Sequence, residues 1–458
     1  MRVIVCGAGR VGYNIAKRLS QQRNDVTVID TEPQLVQSIA ETLDVQAVLG
    51  FASDPDVLER ANARDTDMLI AVTQSDEVNM VACQVAHSLF DIPTKIARIR
   101  QQSYLRPAWA NLFSRDSLPI DVVISPEVEV AHAIHRRLQV PGAIDIIPFA
   151  DDLVRVVGVK LEENCPVIDT PLRQLEALFP DLQITVMGIA RADKTIVPSA
   201  DDMMLVGDRV YFAVGTDRVE RALAVFGHEE KGVSRVIIVG GGNIGRFLAR
   251  DLATHNPSVR VTVIEQNKAR AERIAEELPS VVVLNGNALD VDILREANIG
   301  DTDSFIAVAN DDEVNILSSL LGKKHGAKRV ITLLNNTTYS ALIGPLGIDV
   351  IIDPRETTVS TILGEIRRGR IRGVYSLQDG RAEVLEAEAL DTSPLVGKTI
   401  AKAQLPEDIR FGAVVRKGQV MMARSDTVIE PKDRIIVFAL DQSVAQVEQL
   451  FAVRLDFF

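Results

Sequence analysis

The sequence predicts an α/β chain in which one architecture occurs twice: a Rossmann-type parallel-sheet domain followed by a small α+β domain, and then the same pair again. Three observations carry this. Apolar strand patterns and amphipathic helix patterns alternate over the first ~120 residues of each half, the pattern of a parallel sheet with helices on both faces. A glycine-rich turn joins a strand to a helix at Gly7 and again at Gly240. After each alternating stretch the texture changes to short β-branched strands, turns and few helices.

Arg2-Val3-Ile4-Val5-Cys6 reads as a buried strand, and it leads into Gly7-Ala8-Gly9-Arg10-Val11-Gly12. A helix follows with Val11, Ile15 and Leu19 on one face, then a second apolar strand, Val26-Thr27-Val28-Ile29, which ends in Asp30. Strand, glycine turn, helix, strand and carboxylate in that order form the dinucleotide-binding fingerprint. Gly7 permits the tight turn, Gly9 lets a pyrophosphate approach the backbone, and Gly12 lets the helix pack closely on the strand. The phosphates would sit at the helix N-terminus, where free N–H groups and the helix dipole favour anions. Asp30 would accept from the adenosine ribose hydroxyls and repel a 2′-phosphate, which favours NAD over NADP. The candidate cofactor residues of this stretch are Gly7, Ala8, Gly9, Arg10, Val11, Gly12 and Asp30.

The whole unit recurs. Arg235-Val236-Ile237-Ile238-Val239 leads into Gly240, Gly241, Gly242, Asn243, Ile244 and Gly245, and Val261-Thr262-Val263-Ile264 ends in Glu265. Repetition on this length scale marks a duplicated architecture. Asp65-Thr66-Asp67 returns as Asp301-Thr302-Asp303, and Ile120-Asp121-Val122-Val123-Ile124 as Ile348-Asp349-Val350-Ile351-Ile352. The expected domains are 1–124 and 233–353 for the two nucleotide-binding units, and 143–228 and 372–454 for the two small domains. A helix is expected after each Rossmann unit, with apolar faces (Val128, Val130, Ile134, Leu138; Ile362, Leu363, Ile366) that need a partner. The chain's own small domains are one source of that partner. Phe226 to Gly232 reads as a polar linker between the halves. Asp208-Arg209 and Asp433-Arg434 read as polar turns entering buried strands.

Composition narrows the function. A net charge of −13 without a lysine/arginine block argues against generic nucleic-acid binding. The three cysteines, Cys6, Cys83 and Cys165, are far apart and form no zinc or CxxC pattern, which suits a reducing cytoplasm. Met1 opens almost directly onto a strand, so no signal peptide is expected. No apolar run approaches the ~18–20 residues of a bilayer span. The expectation is a soluble chain whose membrane role runs through a partner.

Ligand-facing groups gather at the carboxyl edge of an open parallel sheet, near its topological switch point. That places the Gly7–Gly12 turn, Asp30, the Gly50–Asp54 turn and the Thr73-Gln74 turn around one crevice. Thr73 and Gln74 fit either cofactor contacts or ordinary capping of the helix that starts near Glu77, and pattern alone does not choose. Ala309 and Asn310 are their counterparts. Arg98 and Arg100, two apart at the end of the fifth strand, would face one side and clamp phosphate oxygens, or else pair with surface carboxylates. The second half has no arginine there, and Thr332 and Leu334 stand in the matched strand. The first site is therefore expected to tolerate more phosphate charge (ATP, ADP or NAD(H)), and the second to prefer NAD(H).

A dehydrogenase needs a general acid/base beside the nicotinamide. None of His87, His132, His135, His228, His255 and His325 stands at a strand end near a glycine turn. His132 and His135, three apart on a helix, lack companion metal ligands. No GxxxxGK[ST] pattern is present, so ATP hydrolysis is not expected.

Taken with Ala71-Val72-Thr73 through Asn79-Met80-Val81-Ala82-Cys83-Gln84, Ala97-Arg98-Ile99-Arg100 and the paired small domains, the layout resembles the TrkA family. These are nucleotide-binding subunits of bacterial Trk potassium-uptake systems, with two tandem RCK (regulator of potassium conductance) modules. The resemblance covers essentially the whole chain and tilts Thr73, Gln74, Arg98 and Arg100 toward nucleotide binding, Arg98 first. It implies a non-catalytic sensor of NAD(H), with ATP or ADP as further ligands of the first site. It also implies a TrkH/TrkG-type potassium-translocating membrane subunit as partner, a homotetramer carrying eight modules, and a peripheral place on the cytosolic face of the inner membrane. The alternatives are an NAD-dependent oxidoreductase with an atypical substrate site and an RCK regulator of another cation transporter.

Overall fold

The computed structural model describes all residues except 23, 180, 193, 230–231, 337–338, 340–345, 367–370 and 452–458. Residues 230–231 of the expected linker and 452–454 of the expected last domain therefore lie outside the described residues. The chain divides into two compact units, the first made of Met1–Ala131 with Asp353–Glu365, the second of His132–Ile352 with Ile366–Phe458.

The first unit carries six strands, β1 (Arg2–Cys6), β2 (Asp25–Asp30), β3 (Gln46–Leu49), β4 (Met68–Ala71), β5 (Thr94–Arg98) and β6 (Val122–Ile124). They pair in parallel in the order β3-β2-β1-β4-β5-β6, so the chain reverses direction across the sheet between β1 and β4. Helices cover both faces of such a sheet, and its central strands are accordingly apolar throughout: Val3 to Cys6 and Met68 to Ala71 are all buried. The connecting helices are α1 (Arg10–Gln21), α2 (Pro33–Thr42), α3 (Pro55–Arg60) and α4 (Asp76–Phe90). In α1 the buried stripe is Gly12, Ile15, Ala16 and Leu19, with Val11 only half-buried. Each fully buried leucine or isoleucine contributes roughly 1.5–3 kcal/mol. The Asp54 side chain caps α3 by accepting from Asp56 N at 3.0 Å, with Pro55 in the first turn.

Helix α5 (Pro126–Gln139) starts in the first unit and ends in the second. The second unit opens with an antiparallel sheet of β7 (Ala143–Phe149), β8 (Val154–Lys160), β9 (Ile184–Arg191), β10 (Lys194–Ile196) and β11 (Arg209–Gly215), ordered β10-β9-β11-β8-β7. Helices α6 (Leu172–Leu178) and α7 (Val219–Val225) accompany it. A second parallel sheet repeats the first in the order β14-β13-β12-β15-β16-β17. Its strands are β12 (Arg235–Val239), β13 (Arg260–Glu265), β14 (Val282–Asn285), β15 (Ser304–Ala307), β16 (Arg329–Leu333) and β17 (Val350–Ile352). They alternate with α8 (Asn243–His255), α9 (Lys268–Glu277), α10 (Val291–Glu296) and α11 (Asp312–Lys324). The last sheet, β18 (Ile371–Leu377), β19 (Ala382–Glu388), β20 (Ile409–Arg416), β21 (Gln419–Met422) and β22 (Arg434–Leu440), is antiparallel in the order β18-β19-β22-β20-β21.

The two antiparallel sheets share a core in which Met187, Tyr211 and Ala213 of the first meet Val384, Ala413 and Phe438 of the last. Glycine makes the approach possible. A Cβ at Gly188 would stand 2.3 Å from the Phe438 ring, and one at Gly412 would stand 2.5 Å from the Met187 sulfur.

One expectation changes. The stretch opening the supposed linker is core: Phe226 is 1% exposed and stacks on Phe212 at a centroid distance of 4.7 Å. An aromatic ring beside a run of charged residues is covered by the preceding strand, β11, across the short helix α7. The helices after the two parallel sheets were expected to need a partner for their apolar faces, and the chain itself supplies it at five positions. Val130, Ile134 and Leu138 of α5, and Ile362 and Leu363 of α12 (Pro354–Ile366), are all buried within one chain. The Ile366 side chain lies outside the described residues. The polar turns are structural as expected. Arg191 grips buried Asp208 at 2.9 and 2.7 Å, and Arg416 grips buried Asp433 at 2.8 and 2.8 Å.

Candidate functional site

In the first unit the end of β1 runs into Gly7 at φ +110°, a conformation glycine tolerates and L side chains resist. Its N–H bonds Ile29 O at 2.7 Å, and a Cβ there would meet the Val72-Thr73 backbone at 3.1 Å. The turns after β1 and β4 are thus in contact. Gly12 packs so closely that a Cβ would stand 1.8 Å from Gly7 O, whereas nothing lies within 4 Å of a Cβ at Gly9. One glycine is needed for packing; the other leaves open space where a pyrophosphate would approach.

Asp30 closes the end of β2 onto the glycine turn. Its Oδ2 accepts from Ala8 N at 2.6 Å and its Oδ1 from Glu32 N at 2.9 Å. The second crevice repeats this with a longer acid. Glu265 Oε2 accepts from Gly241 N at 2.7 Å and Oε1 from Asn267 N at 2.7 Å. Gly240 has φ +97°, a Cβ at Gly245 would be 1.9 Å from Gly240 O, and Gly242 is open. Arg10, Asn243, Gln74 and Asn310 are exposed at these turns, and Val11 and Ile244 are half-buried.

Asn79 is a site-building residue that sequence reasoning passed over as part of a repeat. Fully buried on α4, it accepts from Thr73 N at 2.9 Å and from the Thr73 hydroxyl at 2.7 Å, while its Nδ2 donates to Arg98 O at 2.9 Å. It thereby ties the β4 turn to the end of β5. Asn315 does the same for Ala309 and Leu333, at 2.8–3.1 Å. Asp76 holds the next two residues of that segment, accepting from Arg100 N and Gln101 N; Asp312 accepts from Asn335 N and Asn336 N. The available signal was the identical Asp-Glu-Val-Asn in both halves. Helix capping falls to Ser75, which accepts from Val78 N, and the Thr73 hydroxyl is held by Asn79 and Ser75 O.

Arg98 and Arg100 do not converge. Strand β5 ends at Arg98, so two-residue alternation does not extend to Arg100. Arg98 reaches across to Thr73 O, donating from Nη2 at 2.7 Å, and its buried Nε has no hydrogen-bond partner. Burial, then the nearby Arg100 charge, lower its proton affinity against the pull of Glu127 and Asp76. Arg100 turns to Glu127 at the start of α5, at 3.2 Å. The partners in the second copy also need correction. The ladder aligns Ala97 with Thr332, so Arg98 corresponds to Leu333 and Arg100 to Asn335, one residue off the sequence match to Thr332 and Leu334. Thr332 is a core residue bonded to the Ser319 hydroxyl at 2.7 Å.

Two of the histidines make contacts away from the glycine turns. His132 packs edge-on against Phe247, and His135 sits between Asp251 and Asn256 Oδ1, the latter at 2.7 Å. Burial raises the Cys6 thiol and pushes Cys83 up to about 12, so both are inert core groups. The donor sets suit a dinucleotide: an open glycine cradle at a helix start, a carboxylate at the end of the second strand, and in the first copy an arginine with a buried N–H to spare. Among the described residues no helix is long and apolar enough to cross a membrane.

Fold and crevices together define a tandem Rossmann protein with paired α+β domains, the RCK architecture. Residues 3–126 and 236–354 match the TrkA-N domain family, and 156–227 and 384–452 match the TrkA-C domain family. The chain belongs to the TrkA family of potassium-uptake regulatory subunits. It is 51% identical to the Trk system potassium uptake protein TrkA of Azorhizobium caulinodans over all of both chains. It is 41% identical to that of Halomonas elongata, again over all of both chains, and 39% identical to that of Vibrio alginolyticus over 98% of each. Among solved structures the GsuK RCK domain shares the fold, with TM-score 0.60 at 16% identity, covering 99% of this chain and 95% of that one. The GsuK channel bound to NAD aligns with TM-score 0.59 at 16% identity, covering 99% and 79%.

Proposed function

We propose that this chain is a non-catalytic sensor that binds NAD(H) in both crevices, with ATP or ADP as further ligands of the first, and passes ligand state to a TrkH/TrkG-type potassium-translocating subunit. It works as a homotetramer on the cytosolic face of the inner membrane. Residues 1–124 and 233–353 act as the ligand domains, and 143–228 and 372–454 as their paired small domains. The carrying observation is duplication: two complete dinucleotide cradles, each with its acid already hydrogen-bonded to the glycine turn. The contact residues proposed are Gly7–Gly12, Asp30, Thr73, Gln74, Arg98 and Arg100 in the first crevice. In the second they are Gly240–Gly245, Glu265, Ala309 and Asn310. A ligand shifts a conformational equilibrium only by its differential affinity for the two states. Asn79 and Asn315, which join the ligand turn to the next strand, support such a path.

The test uses the full chain with one crevice blocked at a time. Gly9→Asp and Gly242→Asp place a carboxylate in open space on extended backbone, where the pyrophosphate would approach. Each variant is expected to keep half of the NADH sites, and ATP to bind more tightly when only the first crevice is open. Tighter ATP binding by the second crevice overturns the ligand assignment, and steady NADH consumption with a carbonyl substrate favours the oxidoreductase reading. Failure to recover a potassium-translocating subunit from membranes at any nucleotide concentration overturns the partner assignment.

A further inference from the structure

We infer that the two crevices read the adenosine ribose differently: the first excludes a phosphate on the 2′ oxygen, and the second accepts a 2′-phosphorylated dinucleotide. This rests on the proposal that both crevices bind dinucleotides.

The two ribose ends are built on the same backbone bonds and carry opposite charge. After β2 the chain reads Asp30-Thr31-Glu32-Pro33-Gln34-Leu35, with two carboxylates and no cation. After β13 it reads Glu265-Gln266-Asn267-Lys268-Ala269-Arg270, with one carboxylate and two cations. Asp30 and Glu265 each take the N–H of the second glycine-turn residue and the N–H two residues beyond themselves, which puts the two segments in one register. In that register Leu35 of the first crevice is replaced by Arg270, whose Nη1 donates to Glu265 Oε2 at 3.3 Å. The Arg270 side chain is 51% exposed, and its guanidinium has further donors beyond Nη1. Glu32 is replaced by Asn267, whose side chain is spent capping α9 on Arg270 N at 3.0 Å. Lys268, fully in solvent reach, leans on Glu272 at 3.9 Å.

The acids are also presented differently. Asp30 is half-buried, whereas Glu265 is 5% exposed and drawn in beneath the glycine turn. Gly241 makes room for it. A Cβ there, as Ala8 has in the first crevice, would stand 2.4 Å from Ile274 Cδ1 and 3.0 Å from Glu265 Oε2. A 2′-phosphate in the first crevice therefore meets a pair of like charges, half-buried Asp30 and exposed Glu32. In the second it meets a guanidinium whose planar fork matches phosphate oxygens, with the carboxylate withdrawn behind it. The first crevice's own cations, Arg10 and Arg98, stand at the helix start and on β5, on the pyrophosphate side of the fingerprint.

NADH and NADPH titrations of the full-length blocked variants decide the matter. With the second crevice alone open (Gly9→Asp), NADPH is expected to bind within about tenfold of NADH. With the first alone open (Gly242→Asp), NADPH should be weaker by about a hundredfold or more. Adding Arg270→Leu to Gly9→Asp should weaken NADPH by roughly ten- to a hundredfold and NADH by less than about threefold. Adding Leu35→Arg to Gly242→Asp should recover about tenfold of NADPH affinity, a gain that misfolding does not produce. NADH retained by Gly9→Asp with NADPH refused overturns this inference alone. NADH lost from Gly9→Asp but retained by the unblocked chain overturns the second crevice as a site, and this inference with it.

Discussion

Asn79 and Asn315 show how single side chains tie a turn to the neighbouring strand end. Each satisfies both faces of its amide within the turn and the neighbouring strand end, and each is fully buried. Truncating Asn79 to alanine leaves the Thr73 N–H and Arg98 carbonyl without partners, a loss of about 1–3 kcal/mol in urea denaturation. The same variant should weaken nucleotide binding in the first crevice only. Arg98→Leu should cost the first crevice about tenfold in ATP affinity, while Arg100→Leu, which breaks an exposed pair with Glu127, should change it by less than about threefold. Asp303 sets a pH dependence. Burial alone would raise its pKa, but the Lys328 ammonium, the Ser234 N–H and hydroxyl and the Arg235 N–H outweigh it and hold the carboxyl well below its usual range. A depressed folded-state pKa contributes stability above the unfolded value of about 3.9, and that contribution is lost as pH falls through the folded value. Asp303→Asn should therefore destabilise by about 1–3 kcal/mol at pH 7, and the gap to the unmodified chain should narrow below about pH 4. A gap independent of pH would contradict this origin.

Among the elements, what the sequence made legible was whatever local geometry demands. Gly7 and Gly240 stand at positive φ, Gly12 and Gly245 pack against the turn, and apolar strands buried on both faces have no alternation to misread. The duplicated order of strands followed from these. Non-local facts stayed hidden. An asparagine in a helix reads as solvent-facing, so the repeated Asp-Glu-Val-Asn marked Asn79 without showing its role until α4 was seated on β5. The end of β5 at Arg98 depends on pairing with β6, so the divergence of Arg98 from Arg100 was not readable from a two-residue spacing. The one-residue shift that pairs Arg98 with Leu333 rests on ladder register, and Phe226 looked like linker because its stacking partner Phe212 lies on the far side of α7. The packing of the antiparallel sheets yields its own prediction. Gly188→Ala drives a methyl into the Phe438 ring and should destabilise by about 1–3 kcal/mol, read as a lowered melting temperature.

Over the whole molecule, the two compact units are expected to respond separately to ligand. Heating should resolve more than one transition, because a chain of several domains does not unfold in two states. NADH at a hundredfold excess over Kd adds about 2.7 kcal/mol to the unit that binds it. Gly9→Asp should abolish the NADH-dependent rise of one transition, that of the unit containing Met1–Ala131, and leave the other. Equal loss from both transitions would mean that the crevices do not report to separate units.

The shared core of the antiparallel sheets also governs how the protein comes into being. Tyr211 and Met187 are covered by Phe438 and Ala413, which leave the ribosome roughly 225 residues later, or about 10–45 s at ordinary elongation rates. Through that interval the first small domain exposes an apolar sheet face that its own sequence neighbours do not cover. A gene cut between the two halves would make that exposure permanent. Nascent chains stalled before residue 411 should accordingly be held by chaperones or aggregate, while chains stalled with Phe438 clear of the exit tunnel should not.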